Sequence, residues 1–349
     1  MFAFFKILWT IFKTFSKSIL RSIYCSRYYD GVEFFNAKNI SLKNTSVIEK
    51  GTRLLVINPQ SSSANISIKD NCWIGRDVEI QAMYNSKIVL EKSVSVQDRC
   101  KIIGDVYIGQ DCLLAPDVFL SSGTHHFGFK PALLIKEQDK LVVGDAEGFK
   151  KNSKQINIGE DCWIGKNAMV QSGLNIGRGV VIASNSFVRN NIPPYEIWGG
   201  SPAKFLKKRL EFAPPGEISF QDETHHPYFY WGFDHRNISE GFLSNNSSVC
   251  VLSKKISNIS LFLHANIIAN GNLKIFINNE MIFDKDLNCG VVSQGIKTAQ
   301  MKKTHTLECD SYNMFAEALK QYDIISFTFS PENKEVFSGF SIYKLSNNG

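Results

Sequence analysis

The chain has 349 residues, 44% hydrophobic content and 39 basic against 33 acidic side chains, a formal net charge of +6. That length leaves room for two domains, and the composition is that of a globular chain rather than a disordered or fibrous one. Eight cysteines in so long a chain make no disulfide scaffold. No CxxC pair points to a metal, and the modest charge suits an anionic cofactor, an anionic polymer or a membrane surface without indicating a nucleic-acid partner.

At the N-terminus, Phe5, Leu8, Phe12, Phe15 and Ile19 follow helical spacing while Lys6, Lys13, Lys17 and Arg21 gather on the other side. Residues 1–29 therefore read as a basic amphipathic helix, which can lie in a membrane interface or pack on protein. The lysines interrupt the apolar run too often for a spanning helix, and no small-residue cleavage site marks a signal peptide.

Residues 30 to 66 read as irregular strands entering a coil, with Val47, Leu55 and Ile57 as its early rungs. Aliphatic residues then stand six apart: Ile68, Ile74, Ile80; then Leu90, Val96, Ile102, Ile108, Leu114, Leu120; then Ile158, Ile164, Val170, Ile176, Ile182, Val188. Neither a helix nor a flat strand has this period, but a parallel β-helix does, each hexad forming one face of a three-faced coil. The fifth hexad position is small or β-branched, as at Cys72, Val78, Cys100, Val106, Cys112, Val118, Cys162, Ala168, Val180 and Ser186. Four of the eight cysteines share this position and so read as small core residues of a reducing, cytoplasmic compartment.

The hexads stop once, and a long excursion occupies about residues 121–157. Such a departure from a regular repeat is more often functional than accidental. After Val188, Ile192-Pro193-Pro194 ends the coil, and GGSPAKFLKKRLEF is expected to turn into a short basic helix. Pro214-Pro215-Gly216 marks a boundary. Beyond it, SVCVLS, ISLFLHANI, LKIFIN, EMIFDK, DIISFTFS and GFSIYKL are short alternating strands between Asn, Gly and Asp turns, the pattern of an antiparallel β-sandwich. The expected organisation is all-β: a β-helix domain over 30–213 and a sandwich over 216–349, behind the N-terminal helix.

Within the coil region the histidines are His125 and His126, both in the excursion. A histidine there is a candidate general base, since its unperturbed pKa lies near neutrality. A surface-loop histidine without a role is the plainer alternative. In the C-terminal region, Tyr228, Tyr230, Trp231 and Phe233 could stack on sugar rings or fill a core, and the spacing of His225, His226 and His235 fits a loop better than a metal site.

Taken together, the hexads, SSGTHHFG, the run INIGEDCWIGKNAMVQSGLNIGRGVVIASNSFV and the ending IPPYEIWGGSPAKFLKKR resemble the hexapeptide-repeat acyltransferases over residues 68 to 209. Within that family the resemblance is to O-acetyltransferases of sugars and bacterial surface polysaccharides, capsule or lipopolysaccharide. It implies a left-handed parallel β-helix, acetyl-CoA as donor, direct transfer without a covalent acyl-enzyme, and no metal. It further implies a homotrimer, a polysaccharide acceptor, and a place in the cytoplasm at the inner face of the membrane. Counting from Ala115-Pro116, the family's catalytic histidine falls on His125; relatives with one extra residue would point to His126. Trp163 and Gly165 would border the thioester in the acceptor and oxyanion region. Lys166 and Ser184 would meet the pantetheine, and Arg189, Lys204 and Lys207 the adenosine phosphates, where cationic donors are needed.

Several of these positions have plainer readings. Trp163 is echoed by Trp73 in NCWIGRDVEIQ, and the cluster Lys204, Lys207, Lys208, Arg209 is also what a solvated basic face looks like. The sequence departs from the family's pattern at Ser95-Val96-Gln97, where an acceptor-facing asparagine is usual, and at Ser201-Pro202-Ala203-Lys204, where the first residue is usually asparagine. Asp98 and Asp105 are candidates for orienting the histidine. Alternatives are N-acetylation of an amino-sugar nucleotide and a silent glycan-binding scaffold. A metal-dependent hydratase would need three coil histidines.

Overall fold

The structure is a computed structural model that describes residues 27–28, 31–60, 63–128, 130–141, 153–234, 242–253, 260–267, 270–278, 280–288, 290–297, 319, 321–331 and 340–346. The amphipathic segment expected over 1–29 lies, but for residues 27–28, outside the described residues. Contacts divide the chain into two compact units, Met1–Leu210 and Glu211–Gly349.

The first unit is a parallel β-solenoid with three faces. Strands of the first face include Trp73–Ile74, Ser95–Val96, Leu113–Leu114, Trp163–Ile164 and Val181–Ile182. The second face carries Glu33–Phe35, Arg53–Ile57, Glu79–Met83, Lys101–Ile103, Phe119–Ser121, Met169–Val170 and Phe187–Val188. The third runs from Ile40–Leu42 to Asn175–Ile176 and counts six strands among the described residues, about six turns of the coil. Equivalent residues stack in register, Val96 on Leu114 on Ile164 on Ile182 and Ile102 on Leu120 on Val170 on Val188.

The six-residue ladder is the core: every rung of the three hexad runs is buried, as is every fifth-position residue. Each coil alone could not bury this column; stacking makes it continuous. The four coil cysteines are free thiols. Each Sγ points at a carbonyl of a later coil: Cys72 at Glu91 O (3.1 Å), Cys100 at Ala115 O (3.1 Å), Cys112 at Gly159 O (3.0 Å) and Cys162 at Gly177 O (3.1 Å). Burial pushes the Cys72 thiol up to about 12 and the Cys100 thiol to about 11. Tight corners place Asn71, Asp77, Asp111, Asp117, Asp161, Asn167 and Asn185 at positive φ, a conformation that Asn and Asp tolerate best among residues with a side chain.

Two local expectations need correction. The early rungs are Ile48, Leu54 and Val56, each fully buried, rather than Val47, Leu55 and Ile57. Aliphatic residues stand at both parities there, so only the pairing of Leu54 with Ile80 decides which side chain faces inward. The basic segment after the coil is not a helix. Glu196–Gly200 extends the first face beside Val181–Ile182, and Ala203–Lys208 folds back on it antiparallel, Gly200 opposite Ala203 and Glu196 opposite Lys208. An open sheet edge offers backbone partners that a short helix would forgo, and lysines on the last strand discourage further pairing.

Among the described residues the second unit holds nine strands paired antiparallel, the pairing that the alternating segments predict. The long strand Phe242–Leu252 pairs near its start with Phe340–Ser346 and over its second half with Asp323–Pro331, joining the two halves of the sheet. Tyr228, Tyr230 and Phe233 are buried in its cores beside Phe212, so these rings fill the interior and are not free to stack on a sugar. His225 accepts from Ser219 N–H (3.1 Å) and His226 Nε2 lies 2.9 Å from Phe220 O, so both histidines stitch one turn. Among the described residues no cluster of His, Cys, Asp or Glu could hold a metal ion, and no helix is long and apolar enough to cross a membrane.

Candidate active site

The excursion leaves the second face after Phe119–Ser121 and returns at Ile156–Ile158. Its two stems meet at a neck. Ser122 Oγ and Ser153 Oγ are 2.6 Å apart, Lys154 N–H donates to Ser122 O (3.0 Å), and Asp105 N–H donates to Ser122 Oγ (2.7 Å). Gln155 Nε2 donates to Asp105 Oδ1 (2.9 Å), while burial raises the Asp105 carboxyl above the usual range. Asp105 therefore belongs to the neck and does not orient a histidine. Asp98 does not either: it takes Arg76 N–H at 2.9 Å and the Arg76 guanidinium at 2.9 Å.

The residue that holds the histidines is Asp139, on the short helix α1 (Ile135–Lys140). Its Oδ2 lies 2.7 Å from His125 Nδ1, and its Oδ1 accepts His126 N–H at 2.8 Å. The His126 ring is also near, with Nδ1 3.4 Å from Oδ1. That backbone N–H, with the His125 ring second, holds the Asp139 carboxyl below the usual carboxylate range. The rings differ in access: the His125 side chain is 82% exposed and that of His126 14%.

Both histidines line an open cleft of about 760 Å³ between the excursion and the outer side of the second face. Phe119, Met169 and Phe187, stacked in register on successive coils, form its floor, with Met83, Tyr84 and Ile103 along one side and Phe127 from the excursion. The polar lining includes Ser121, Thr124, Gln171 and Ser172. A floor of flat and apolar side chains beside an exposed imidazole can seat a hydroxyl-bearing ring and take its proton.

The other expected site residues do not line this cleft. Trp163 stands 53% exposed on the first face, in the same outward row as Trp73, Ser95, Leu113 and Val181. Gly165 and Ser184 meet at the corner of the first and second faces, where a Cβ on Gly165 would lie 2.5 Å from Ser184 N. Gly75, Gly109, Gly159 and Gly177 meet the next coil in the same way, so coil stacking alone requires Gly165. Lys166 Nζ lies 3.8 Å from Asp117 Oδ2, which also pairs with Arg99. Lys204 and Lys207 are exposed on the final strand, and Arg189 is exposed just past Phe187–Val188. One chain thus carries the histidine cleft apart from the other expected residues, which lie on the first face (Trp163), at its corner with the second (Gly165, Lys166, Ser184) and on the final strand (Lys204, Lys207).

Sequence reasoning missed Asp139 and the cleft floor. The signal for the floor was available, since Phe119, Met169 and Phe187 each precede an inward rung and so face outward.

Residues 156–190 match the family profile described as bacterial transferase hexapeptide (six repeats). An Escherichia coli K12 protein assigned to lipopolysaccharide biosynthesis as an O-acetyl transferase, WbbJ, is 32% identical over 149 residues, covering 42% of this chain and 74% of that protein. This chain belongs to the hexapeptide-repeat acyltransferases. It is an acyltransferase. A chloramphenicol acetyltransferase of Klebsiella aerogenes is 49% identical over 74 residues, 21% of this chain and 35% of that enzyme. Among solved structures, the polysialic-acid-specific acetyltransferase NeuO aligns with TM-score 0.35 and 24% identity, covering 54% of this chain and 86% of that one.

Proposed function

We propose that this acyltransferase is an acetyl-CoA-dependent O-acetyltransferase of a bacterial surface polysaccharide, with His125 as general base. The observation that carries the reading is His125 itself, an exposed imidazole tied at Nδ1 to Asp139 and facing a cleft on a hexapeptide-repeat coil. The relative assigned to lipopolysaccharide biosynthesis supports a glycan hydroxyl as the acceptor.

Acetyl-CoA is a substrate that supplies a thioester. The residues suited to it are Lys204, Lys207 and Arg189 for the phosphates, Lys166 and Ser184 along the pantetheine, and Trp163 and Gly165 beside the acyl group. Their exposure leaves the donors available, and phosphate recognition needs cations of this kind. In the reaction, His125 Nε2 takes the proton of the sugar hydroxyl as its oxygen attacks the acyl carbon. A backbone N–H at the coil edge steadies the oxyanion. The C–S bond breaks, the imidazolium returns its proton to the departing thiolate, and the acetyl ester remains on the sugar. His126 is the alternative base; its low exposure favours His125.

That the other expected residues lie outside the cleft supports a homotrimer, in which the histidine cleft of one protomer meets the lysine-bearing final strand of the next. The outward apolar side chains of Leu113, Phe205 and Leu206 give such an assembly surface to bury. The same reading puts the protein in the cytoplasm, with residues 1–29 at the inner membrane surface.

The test is free-thiol release from acetyl-CoA with a panel of capsular and lipopolysaccharide glycans, comparing wild type with His125→Ala and His126→Ala. Release that requires one polymer and disappears in His125→Ala supports the reading. Loss confined to His126→Ala moves the base by one residue. An amino-sugar nucleotide as the accepted substrate would make the enzyme an N-acetyltransferase, and failure to bind acetyl-CoA would leave a glycan-binding scaffold.

A further inference from the structure

We infer that Asp139 is the positioning residue of the site: it fixes the tautomer and direction of His125, and helix α1 serves to present it. The inference rests on His125 being the base and adds the group that makes it one.

Both carboxylate oxygens have a job. Oδ1 accepts the His126 backbone N–H at 2.8 Å, which stops the carboxylate from turning. Oδ2 then faces His125 Nδ1 at 2.7 Å. An ionised carboxylate only accepts, so Nδ1 must carry the ring's proton and Nε2 its lone pair. Nε2 is the nitrogen left to take a proton from an acceptor in the cleft. Among the described residues, the other ionisable side chains facing that cleft are Tyr84 and His126.

The helix is in turn anchored by its own loop. Gln138, next to Asp139, is 1% exposed. Its Oε1 accepts Lys130 N–H (3.2 Å) and its Nε2 donates to Leu133 O (3.0 Å). Glu137 Oε2 accepts Leu134 N–H (3.1 Å) at the helix start. Three consecutive polar side chains thus close the loop at Glu137, lock it at Gln138 and reach the histidines at Asp139. A six-residue helix is too short to persist by itself, so these bonds hold it in place. The positioning device is complete within one chain.

The experiment is long-range ¹H–¹⁵N spectroscopy of the full chain labelled at histidine, with His125 assigned from His125→Ala. In wild type, the His125 proton sits on Nδ1. Asp139→Asn can keep the His126 N–H through its amide oxygen but turns its NH₂ toward His125, so the ring switches to the Nε2–H form. Thiol release from acetyl-CoA with the same polysaccharide panel then falls about 100-fold or more, with KM for acetyl-CoA unchanged. Asp139→Ala imposes neither tautomer and retains more activity than Asp139→Asn. A residue that merely propped the loop would give the opposite order, since Asn is the closer shape match. The other histidine signals report whether each variant is folded. A wild-type ring protonated on Nε2, or a tautomer indifferent to Asp139→Asn, overturns the inference. Wild-type rates in Asp139→Asn beside an inactive His125→Ala overturn Asp139 alone, whereas an active His125→Ala overturns the base and the inference together.

Discussion

Two corners of the same coil are built on opposite rules. Between the first and second faces, residues 49–52, 75–78, 97–100, 115–118, 165–168 and 183–186 make the same connection in every turn. Between the second and third faces the connections are residues 36–39, 58–65, 84–87, 104–105, 122–155 and 171–174, which differ widely in length. At the uniform corner the chain packs backbone on backbone. Arg76–Asp98 and Arg99–Asp117–Lys166 link neighbouring coils along it. The variable corner carries the excursion and both histidines. A repeat that keeps two of its three corners constant, the four-residue connections between the third and first faces being as uniform as those between the first and second, holds its rungs in register, and this frees the remaining corner to carry an excursion.

The largest test of this contrast is His125→Ala, which is expected to lower glycan-dependent thiol release by about 10²–10⁴-fold while leaving the melting temperature unchanged. A large loss of stability in that variant would mean the variable corner also holds the coil together. Next comes Leu120→Ala, at the last rung before the excursion, which is expected to cost about 2–5 kcal/mol in denaturant unfolding. Leu134→Ala, 71% exposed in the excursion, should stay within about 0.5 kcal/mol. Gly165→Ala is expected to cost about 1–3 kcal/mol, because the new Cβ meets the backbone of Ser184 rather than a movable side chain. If acetyl-CoA turnover fell with no loss of stability, Gly165 would owe its place to the donor instead.

The smallest effect concerns acid. Arg76, first through its backbone N–H, holds the Asp98 carboxyl below the usual carboxylate range. A carboxyl with a lowered folded-state pKa adds stability above its unfolded value of about 3.9, and that stability is lost as pH falls through the folded value. Asp98→Asn is therefore expected to flatten the fall of melting temperature between about pH 5 and pH 2. An unchanged slope would show that the ladder at the uniform corner contributes nothing measurable.

The uniform corner was legible in the sequence and the variable one was not, for a physical reason. Periodicity reports what every coil repeats, so Ile102, Ile164 and their equivalents announce themselves, as do Cys100 and Cys162 behind the bends. It failed at Leu54 and Val56 because Leu55 and Ile57 offer the same aliphatic signal on the opposite parity. It failed again at Lys204 and Lys207, where a basic run resembles a helix face until a free sheet edge is known to lie beside it. Asp139 was out of reach because its bonds to His125 and His126 form only when the excursion folds back on itself. The family resemblance pointed to His125, with His126 as the alternative; it carried no information about which carboxylate would meet either.

The serine neck has a consequence for how such a protein can change. Ser122 and Ser153 touch, so the coil receives the chain back almost where it let it go, whatever lies between. Closing a longer loop costs only about 0.6 kcal/mol for each doubling of length. The segment between the two serines can therefore vary as a unit, one that carries His125, His126 and Asp139 together. Exchange of that segment would leave every rung of the coil, and the cleft floor of Phe119, Met169 and Phe187, as they are.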